Sequence, residues 1–269
     1  MPALPQDRLS VGAFYNPHLA LDLLVATGQV DHLAMADPPA SDDSYFQRIR
    51  ERFPLLLHDY LGQLSDPLSE HALVRARELQ RLYDSPWVAE HFQCLHTQDS
   101  GRSLDYVFPP LYTEEFLRRF VANARVLQQA VATELVMENI PGFFAVEHAQ
   151  MPEGEFLRRF FDETGCGFLL DLPHIWLAAH YAGRNAREYL ADFPLHQVVE
   201  LHVAGVEHDA DLQGPWIAPV PPSQEILQLG VWVAAHAPKL RAVTFDAFSP
   251  NLTAHVLLDS VRATREAFA

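Results

Sequence analysis

Eight short apolar runs, distributed from one end of the sequence to the other, constrain the fold of this chain most. The segments between several of them have helical periodicity; in 112–131, for example, Arg118 and Arg119 face away from Phe116 and Phe120. Strands that alternate with helices form a parallel sheet with both faces covered. We predict strands at 11–15, 30–36, 54–60, 86–92, 133–139, 167–172, 197–205 and 241–248.

Eight strand–helix units close most simply into a (βα)8 TIM barrel, and 269 residues is an ordinary length for one such barrel. An open, doubly wound sheet is the alternative, but no GxGxxG motif follows the first predicted strand. The longest irregular stretch, 93–112, is interpreted as a loop over the barrel mouth. We therefore expect a single α/β domain over residues 1–269.

The segment VVELHVAG at 198–205 has two polar residues, Glu200 and His202, within an otherwise apolar strand. A buried polar group without a partner costs about 1–3 kcal/mol on mutational scales, so both side chains need partners. Other predicted strands end in the same way. The polar residues at or just after those ends are His58, Glu90, His91, Glu138, Asn139, Asp171, His174 and Asp246.

The carboxyl ends of barrel strands surround one mouth, where the active sites of TIM barrels lie. The strand-end histidines and carboxylates are therefore expected to converge on one cavity. Imidazole with carboxylate is a ligand set for iron, manganese or zinc rather than for calcium or magnesium alone. So many ligands exceed the needs of one ion, which favours a multinuclear site with a carboxylate such as Glu138 between two cations. The competing interpretation is that each residue is a core polar group with a satisfied hydrogen bond.

Other residues near the predicted mouth are weaker candidates. Glu200 lies on the same strand face as His202, one layer deeper, where it can act as a hydrogen-bond acceptor behind the site. His208 and Asp211 follow the seventh predicted strand and are further candidate ligands. His32 lies in the middle of the second predicted strand and is expected to be a packed core histidine.

Composition excludes some functional classes. The net charge of −16 argues against non-specific binding to nucleic acid, because the phosphate backbone would be repelled. Two cysteines, Cys94 and Cys166, provide neither a disulfide framework nor a CxxC metal motif, and neither is assigned a catalytic role. The first ten residues lack the pattern of a signal peptide, and no apolar run approaches about 18 residues. We expect a cytoplasmic protein without a membrane span.

Several motifs surround the strand-end residues. They are FPLLLHDYLGQLSDPLS (53–69), SPWVAEHF (85–92), PPLYTEEFL (109–117), LVMENIPGFF (135–144), TGCGFLLDLPHIWLAA (164–179), HVAG (202–205) and APVPP (218–222). Through this combination, nearly the whole chain resembles the multinuclear non-heme iron-dependent oxidative enzymes (MNIO), which are related to the xylose-isomerase-like barrels.

That resemblance implies a barrel that binds two or three iron ions and uses O2 to oxidise a residue, often cysteine, of a ribosomally made precursor peptide. It also implies a separate partner protein that binds the leader of that peptide. The ligands or adjacent residues that it implies are His58, His91, Glu138, Asn139, Asp171 and His202. Among them we assign Glu138 as a bridging carboxylate and the three histidines as terminal ligands, with Asp171 and Asn139 as ligands or as residues that orient them.

The chain departs from the family pattern at several positions. Relatives carry an Asp-x-His pair before the PVPP segment, where this chain has Gly214 and Trp216. His174 replaces an asparagine of the sixth-strand motif, and Asp246 replaces a glutamate at the end of the eighth strand. At least one metal position is therefore expected to be lost or to be rebuilt with another side chain. The candidates for that replacement are His174, His208 and Asp211.

Three functional hypotheses are compatible with these features. The first is an iron- and O2-dependent peptide oxidase. The second is a metal-dependent sugar isomerase or epimerase; such enzymes use a catalytic lysine or a glutamate pair, and the one lysine, Lys239, precedes the eighth predicted strand at the wrong end of the barrel. The third is a peptide-binding scaffold with little or no catalytic activity, which the loss of the Asp-x-His pair favours and the other retained site residues oppose.

Overall fold

The computed structural model describes residues 2–16, 21–36, 44–58, 61–96, 102–143, 146–208, 214–218, 220–246 and 251–269. Its main strands are β1 (Ser10–Phe14), β2 (Leu33–Met35), β3 (Leu55–His58), β4 (Trp87–His91), β5 (Glu134–Glu138), β6 (Gly167–Asp171), β7 (Val198–Val203) and β8 (Ala242–Phe245). The helices that follow them are α1 (Leu21–Thr27), α2 (Ser44–Arg52), α3 (Glu70–Tyr83), α4 (Glu114–Ala130), α5 (Glu153–Thr164), α6 (Leu172–Tyr181), α7 (Gln224–Ala234) and α8 (Ala254–Ala267). A short helix, Ala186–Tyr189, and two 3-10 turns, Leu190–Asp192 and Leu195–Gln197, connect α6 to β7.

The eight strands form a closed barrel in the order β1-β8-β7-β6-β5-β4-β3-β2. Neighbouring strands run parallel, as crossovers through helices require. The prediction of a (βα)8 barrel is confirmed, and the open doubly wound alternative is wrong. Seven of the eight predicted runs each contain one observed strand that is shorter than the run, whereas β1 begins one residue before its predicted run, at Ser10, and ends one residue earlier, at Phe14.

The helices bury one face each against the barrel. α4 begins after Thr113, whose Oγ1 accepts a hydrogen bond from the Phe116 main-chain N–H at 3.3 Å. The ring of Phe120 on α4 stacks on Phe92 just beyond β4, and Phe160 of α5 meets the same ring edge-on at 4.8 Å between centroids. Burial of each side chain of this kind stabilises the fold by about 1.5–3 kcal/mol, and these rings pack α4 and α5 against the end of β4. Among the described residues, no helix has the length and apolar character needed to cross a membrane.

In the part of the chain that the structure describes, two antiparallel hairpins extend from the barrel, and neither was predicted. Cys94–His96 pairs with Ser103–Phe108, so the stretch 93–112 is not simply an irregular loop. Gly205–His208 pairs with Pro215–Ala218, so the predicted strand 197–205 ends early, at Val203. A Cβ on Gly205 would overlap Val220, which explains why the chain has glycine where it leaves β7.

The barrel interior changes from apolar to polar toward the mouth. Side chains at alternate strand positions point inward. The apolar residues packed together inside the barrel are Ala34, Leu56, Trp87, Ala89, Val136, Leu169, Val199 and Ala242. The last inward positions of five strands are polar instead, and the fold brings them to one place.

Candidate metal centre

Five polar side chains from consecutive barrel strands meet at the carboxyl end of the barrel. His58, His91, Glu138 and Asp171 are the last residues of β3, β4, β5 and β6, and His202 is the penultimate residue of β7. All five are between 0% and 6% exposed to solvent. The strand register pairs His91 with Glu138 and Asp171 with His202, so the sheet itself sets their relative heights.

One oxygen of Glu138 faces two histidines. Glu138 Oε2 lies 2.9 Å from His58 Nε2 and 3.0 Å from His91 Nε2. The two Nε2 atoms are themselves 2.9 Å apart. Two imidazole nitrogens and a carboxylate oxygen are thus directed at one another across a very small space, which is the arrangement of ligands around a common ion.

The other oxygen of Glu138 belongs to a second group. His202 Nδ1 lies 3.5 Å from Glu138 Oε1, 3.8 Å from Asp171 Oδ2 and 3.3 Å from Asp246 Oδ2. Asp246, just beyond β8, is 27% exposed at its side chain and forms the part of the group that is open to the mouth. Three carboxylates therefore converge on a single buried imidazole.

Two sets of donor atoms in the described residues are close enough together to hold a metal ion. The first comprises His58, Glu138 and His202, and the second comprises Glu138, Asp171, His202 and Asp246; within each set the donor atoms lie within 4.8 Å of one another. His91 adds a further imidazole beside the first set. Glu138 is common to both sets and has an oxygen toward each.

The polar atoms of this cluster fit a cation better than they fit one another. Glu138 Oε2, His58 Nδ1 and both ring nitrogens of His202 are buried, and none of them is aligned for a hydrogen bond with a described residue, although Glu138 Oε2 and the His202 nitrogens lie close to opposite polar groups. Buried polar groups are almost always hydrogen-bonded unless an ion or water satisfies them. Imidazole and carboxylate together are the donor set of iron, manganese and zinc. The residues present therefore fit a metal centre.

The electrostatics of the cluster lead to the same conclusion. Burial disfavours the charged form of His91, but attraction to Glu138 and hydrogen bonds to Glu138 and Glu90 raise its pKa to about 10. Burial raises the pKa of Asp171 to about 6, and the neighbouring Glu138 adds to that effect although His174 opposes it. Excess negative charge in a desolvated space is what bound cations neutralise.

The junction between β6 and α6 positions three residues. Asp171 is both the last residue of β6 and the N-cap of α6, where its Oδ1 accepts the His174 N–H at 2.6 Å. The ring of His174 then lies with Nδ1 2.8 Å from the carbonyl oxygen of Asn139 and 3.4 Å from Asp171 Oδ1. The Asn139 amide bonds to the main chain of Asp171. In this arrangement Asn139 orients Asp171. Because Nδ1 of His174 is bonded to the Asn139 carbonyl, Nε2 is the His174 atom that could bind a metal.

Both carboxylate oxygens of Glu90 accept hydrogen bonds from main-chain N–H groups, and Glu90 is not part of the candidate metal sets. Its Oε2 accepts the N–H groups of Leu61 and Gly62, at 2.6 and 3.2 Å, and its Oε1 accepts the His91 N–H at 2.8 Å. It thereby fixes the segment that follows β3 next to the end of β4. Its Oε1 is also 3.5 Å from His91 Nδ1, so Glu90 supports that ring from behind.

Glu200 lies below His202, and sequence reasoning missed its partners. It accepts hydrogen bonds from Trp87 Nε1 at 2.8 Å and from Thr244 Oγ1 at 2.5 Å. Thr244 lies in β8, two residues before Asp246. The two-residue strand period was therefore a signal that Thr244 shares the inward face with Asp246. His32 is fully buried, as expected for a core histidine, and its ring is also hydrogen-bonded to Thr244.

The segment that departs from the family pattern forms part of the second hairpin. A Cβ on Gly214 would overlap the hydroxyl of Tyr181, so a longer side chain there requires Tyr181 to move. Trp216 pairs with Glu207 across the hairpin. The backbone of His208 lies in the same hairpin, but its side chain and all of Asp211 lie outside the described residues.

Neither cysteine has the environment of a nucleophile. Burial raises the pKa of the Cys94 thiol to about 11, despite its contact with Ser65 Oγ at 3.8 Å. Burial likewise raises the pKa of Cys166 to about 11. Thiols of this kind are almost entirely protonated near neutral pH and react slowly.

Comparison with known sequences places this geometry in context. A family profile described as "RiPP precursor modification enzyme MbnB/TglH/ChrH" matches residues 31–228, which is more than half of the chain. A UPF0276 protein of Rhizobium meliloti is 29% identical over 80% of this chain, and one of Bordetella pertussis is 33% identical over 62%. These alignments cover 65% and 57% of the two relatives, so the chain spans less than two thirds of the length of either.

Solved structures share the fold at low sequence identity. The D-allulose 3-epimerase of Methylomonas sp. is similar with a TM-score of 0.63 at 12% identity, covering 99% of both chains. The 3-keto-D-glucoside 4-epimerase YcjR of E. coli has a TM-score of 0.61 at 15% identity, covering 96% of this chain and 100% of that one. A xylose isomerase domain protein of Salmonella typhimurium has a TM-score of 0.58 at 13% identity, covering 100% and 98%. At these identities the likeness establishes the xylose-isomerase-like barrel and nothing about substrate.

Proposed function

Since the chain belongs to the MbnB/TglH/ChrH family of RiPP precursor modification enzymes, we propose that it is an iron- and O2-dependent enzyme that oxidises a residue, such as cysteine, of a ribosomally synthesised precursor peptide. The observation that carries this proposal is the position of Glu138. It is buried, it has one oxygen toward His58 and His91, and it has the other toward His202. A carboxylate in that position suits two adjacent metal ions.

The residues of the cluster divide between two metal positions. His58, His91 and Glu138 Oε2 would hold one ion, and Glu138 Oε1, Asp171, His202 and Asp246 would hold the other. His174 is the side chain nearest to the second position that can add a ligand, through Nε2. Bound iron would supply one-electron redox chemistry and the activation of O2.

The protein's own groups control access and orientation. The ring of Phe14 meets His58 edge-on, with 5.7 Å between centroids, and covers that side of the centre. Glu90 holds His91 from behind, and Asn139 holds Asp171. Asp246 is the most exposed of the acidic groups and marks the side from which a peptide residue approaches. We infer that the substrate is the precursor peptide and that a separate protein binds its leader.

Two other functions give different experimental outcomes. A sugar epimerase needs only one divalent ion and does not consume O2; the barrel likeness to epimerases is a likeness of fold alone. Lys239 does not supply such an enzyme with a base, because it lies in the segment before β8 and donates to Gln197 Oε1 at an exposed position. A scaffold would keep its peptide-binding activity when the candidate ligands are removed.

The decisive experiment measures metal content, O2 consumption and peptide mass on one preparation. The protein is purified without oxygen, iron per chain is counted by elemental analysis, its oxidation state is determined by Mössbauer spectroscopy, and a cysteine-containing precursor peptide is then added with O2. We expect two or more irons per chain and an O2-dependent mass change in the peptide. Glu138→Gln should lose both, whereas Glu153→Gln, which changes a carboxylate bonded to Tyr189 away from the cluster, should keep both.

Each alternative has its own signature in the same set of measurements. One divalent ion, sugar epimerisation and no O2 consumption would replace the proposal with an epimerase. Peptide binding that survives His202→Ala, with no peptide modification by the wild type, would replace it with a scaffold.

A further inference from the structure

A chain of hydrogen-bonded polar side chains crosses the barrel interior below the candidate metal centre. Glu200 Oε1 accepts from Thr244 Oγ1 at 2.5 Å, Thr244 Oγ1 lies 2.9 Å from His32 Nε2, and His32 Nδ1 lies 2.8 Å from Ser10 Oγ. Glu200 Oε2 accepts from Trp87 Nε1 at 2.8 Å. We call these five residues the interior polar chain. All are 0–1% exposed, so water does not compete for their hydrogen bonds.

The direction of each hydrogen bond follows from counting protons. The Thr244 hydroxyl has one proton and gives it to Glu200, because a carboxylate can only accept. Its oxygen must therefore accept from His32 Nε2, which makes that nitrogen the protonated one. Burial lowers the pKa of His32 to about 4, so the ring is neutral and Nδ1 accepts the Ser10 hydroxyl proton. Every bond in the chain thus points toward Glu200.

Glu200 collects these donors and has one further neighbour. His202 Nε2 lies 3.4 Å from Glu200 Oε1. Since Trp87 and Thr244 already donate to the carboxylate, Glu200 is held as an acceptor. It lies within reach of His202 Nε2, although the two atoms are not aligned for a hydrogen bond, so a small rotation of the ring would let Nε2–H donate to it. The opposite ring nitrogen, Nδ1, is the one that faces Glu138, Asp171 and Asp246.

A glycine in the neighbouring strand β1 leaves room for the interior polar chain. Gly12 of β1 lies against His32, and a Cβ at that position would be 2.6 Å from the Cγ and Cδ2 atoms of the imidazole and would overlap the His32 carbonyl oxygen. The φ angle of Gly12 is not one that requires glycine, so the close approach of the ring accounts for it. A barrel interior normally contains apolar layers at this depth. A histidine with a glycine beside it is a specific arrangement.

We propose that Glu200 is the positioning residue of the metal centre: the interior polar chain fixes it as a pure acceptor, and it then holds His202 in the tautomer that leaves Nδ1 available to a metal. This inference rests on the proposed function in requiring a metal at His202, and it is independent of which reaction the metal serves. Hydrogen-bond partners of metal-bound histidines fix ring orientation and basicity in this way, and their removal typically costs about 10- to 100-fold in metal affinity.

The test uses Zn²⁺ as a diamagnetic probe with the intact chain. Zn²⁺ affinity is measured by competition with a chelator, and the imidazole N–H groups of the ¹⁵N-histidine-labelled, Zn²⁺-loaded protein are observed by NMR. For the wild type we expect a slowly exchanging Nε2–H of His202, assigned through its absence in His202→Asn. Glu200→Gln should lower Zn²⁺ affinity about 10- to 100-fold and abolish the slow exchange. Glu153→Gln is the matched carboxylate-to-amide control and should change neither.

A second pair of variants keeps the inference testable if Glu200→Gln fails to fold. Thr244→Val removes the hydroxyl that joins Glu200 to His32 and should lower Zn²⁺ affinity about tenfold, toward the lower limit for such partners. Thr244→Ser keeps the hydroxyl and should restore both the affinity and the His202 signal. Loss of packing alone would affect serine at least as much as valine.

The outcomes separate this inference from the proposed function. Zn²⁺ affinity and a His202 signal in Glu200→Gln equal to those of the wild type would overturn the positioning role, as would a wild-type chain that does not bind Zn²⁺. A wild type that shows the expected Zn²⁺ behaviour, but neither takes up iron nor oxidises peptide, would contradict the proposed function and leave the role of Glu200 intact.

Discussion

The side-chain amide of Asn139 spans the main chain of Asp171: Oδ1 accepts the Asp171 N–H at 2.9 Å, and Nδ2 donates to the Asp171 carbonyl at 3.2 Å. Asn139 immediately follows Glu138, so one dipeptide supplies the shared carboxylate and also fixes the next acidic group. An isolated loss of a hydrogen bond in the core costs about 1–3 kcal/mol when it leaves a buried group unpaired. Here the same loss also frees a candidate ligand, the Asp171 carboxylate.

We expect Asn139→Ala to weaken metal binding at the second position by about 10- to 100-fold. Iron content per chain and the Zn²⁺ affinity report this. The matched control is Asn123→Ala, because Asn123 also bonds to main chain, donating to the carbonyls of Leu64 and Asp66 at 2.8 Å, but contacts no candidate ligand through these bonds. Both variants should lose a similar free energy of unfolding. Equal metal affinity in the two would contradict the role assigned to Asn139.

Metal removal should destabilise the wild type and not a variant without the shared carboxylate. A ligand present at 100 times its dissociation constant stabilises the folded state by about 2.7 kcal/mol. Chelation should therefore lower the melting temperature of the anaerobically purified wild type by several degrees. In Glu138→Gln, chelation should produce little change, because the metals are not held. A wild type whose melting temperature is the same before and after chelation would show that the cluster is stable as a purely polar network.

Gly12→Ala should be strongly destabilising because the new Cβ meets both the ring and the carbonyl of His32. Overpacking in a core typically costs about 1–3 kcal/mol, and a backbone contact leaves little freedom to relax. Gly28→Ala serves as the control. Gly28 has a φ of 60°, but a Cβ added there would have no atom within 4 Å, so its cost is limited to backbone strain of about 1 kcal/mol. Urea denaturation should rank Gly12→Ala as the less stable; the reverse order would contradict the fit around His32.

The environment of Asp31, just before β2 and at the end of the barrel opposite the candidate metal centre, predicts a pH-dependent contribution to stability. Burial raises the pKa of Asp31, but hydrogen bonds from Arg8, the Val11 N–H and Arg265 outweigh it and leave the pKa below its ordinary value. A carboxyl with a lowered folded-state pKa contributes its full stability above the ordinary pKa and loses it as the pH falls through the lowered one. The contribution should therefore be complete at pH 7 and decline below about pH 4.

The variant that tests this is Asp31→Asn. It should lose about 1–3 kcal/mol at pH 7 relative to the wild type, and the difference should shrink as both are acidified below pH 4. Glu114→Gln breaks an exposed pair with Arg159 and should change stability much less, because solvent screens that pair. A difference between wild type and Asp31→Asn that is constant from pH 7 to pH 3 would contradict the assignment.

The strands of this barrel were predictable from the sequence because apolar runs and polar strand ends are local patterns. His58, Glu138 and Asp171 each end such a run, and parallel strands carry their carboxyl ends to one mouth whatever the details of packing. The two hairpins were not predictable in the same way. Cys94–His96 has only three residues and a register irregularity, which is too short for a two-residue period to stand out.

The strand pattern alone could not distinguish the roles of individual carboxylates, because the partner of a buried polar group is set by residues distant in sequence; only the family resemblance singled out Glu138. Glu90 and Glu138 are both acidic residues at strand ends, and both were candidates for metal. The structure bonds Glu90 to the N–H groups of Leu61 and Gly62, about thirty residues away, and leaves Glu138 Oε2 without any such donor. That distinction depends on where the segment after β3 runs, and nothing near Glu90 in sequence encodes it.

The direct passage from β6 into α6 has a mechanical consequence. Asp171 uses Oδ1 to start the helix and presents Oδ2 to His202, so one carboxylate belongs to both a helix end and the cluster. A peptide that displaced Asp171 from the centre would also loosen the first turn of α6. Order in the first turn of α6 would then depend on where the Asp171 carboxylate lies, so a single side chain joins the helix start to the cluster.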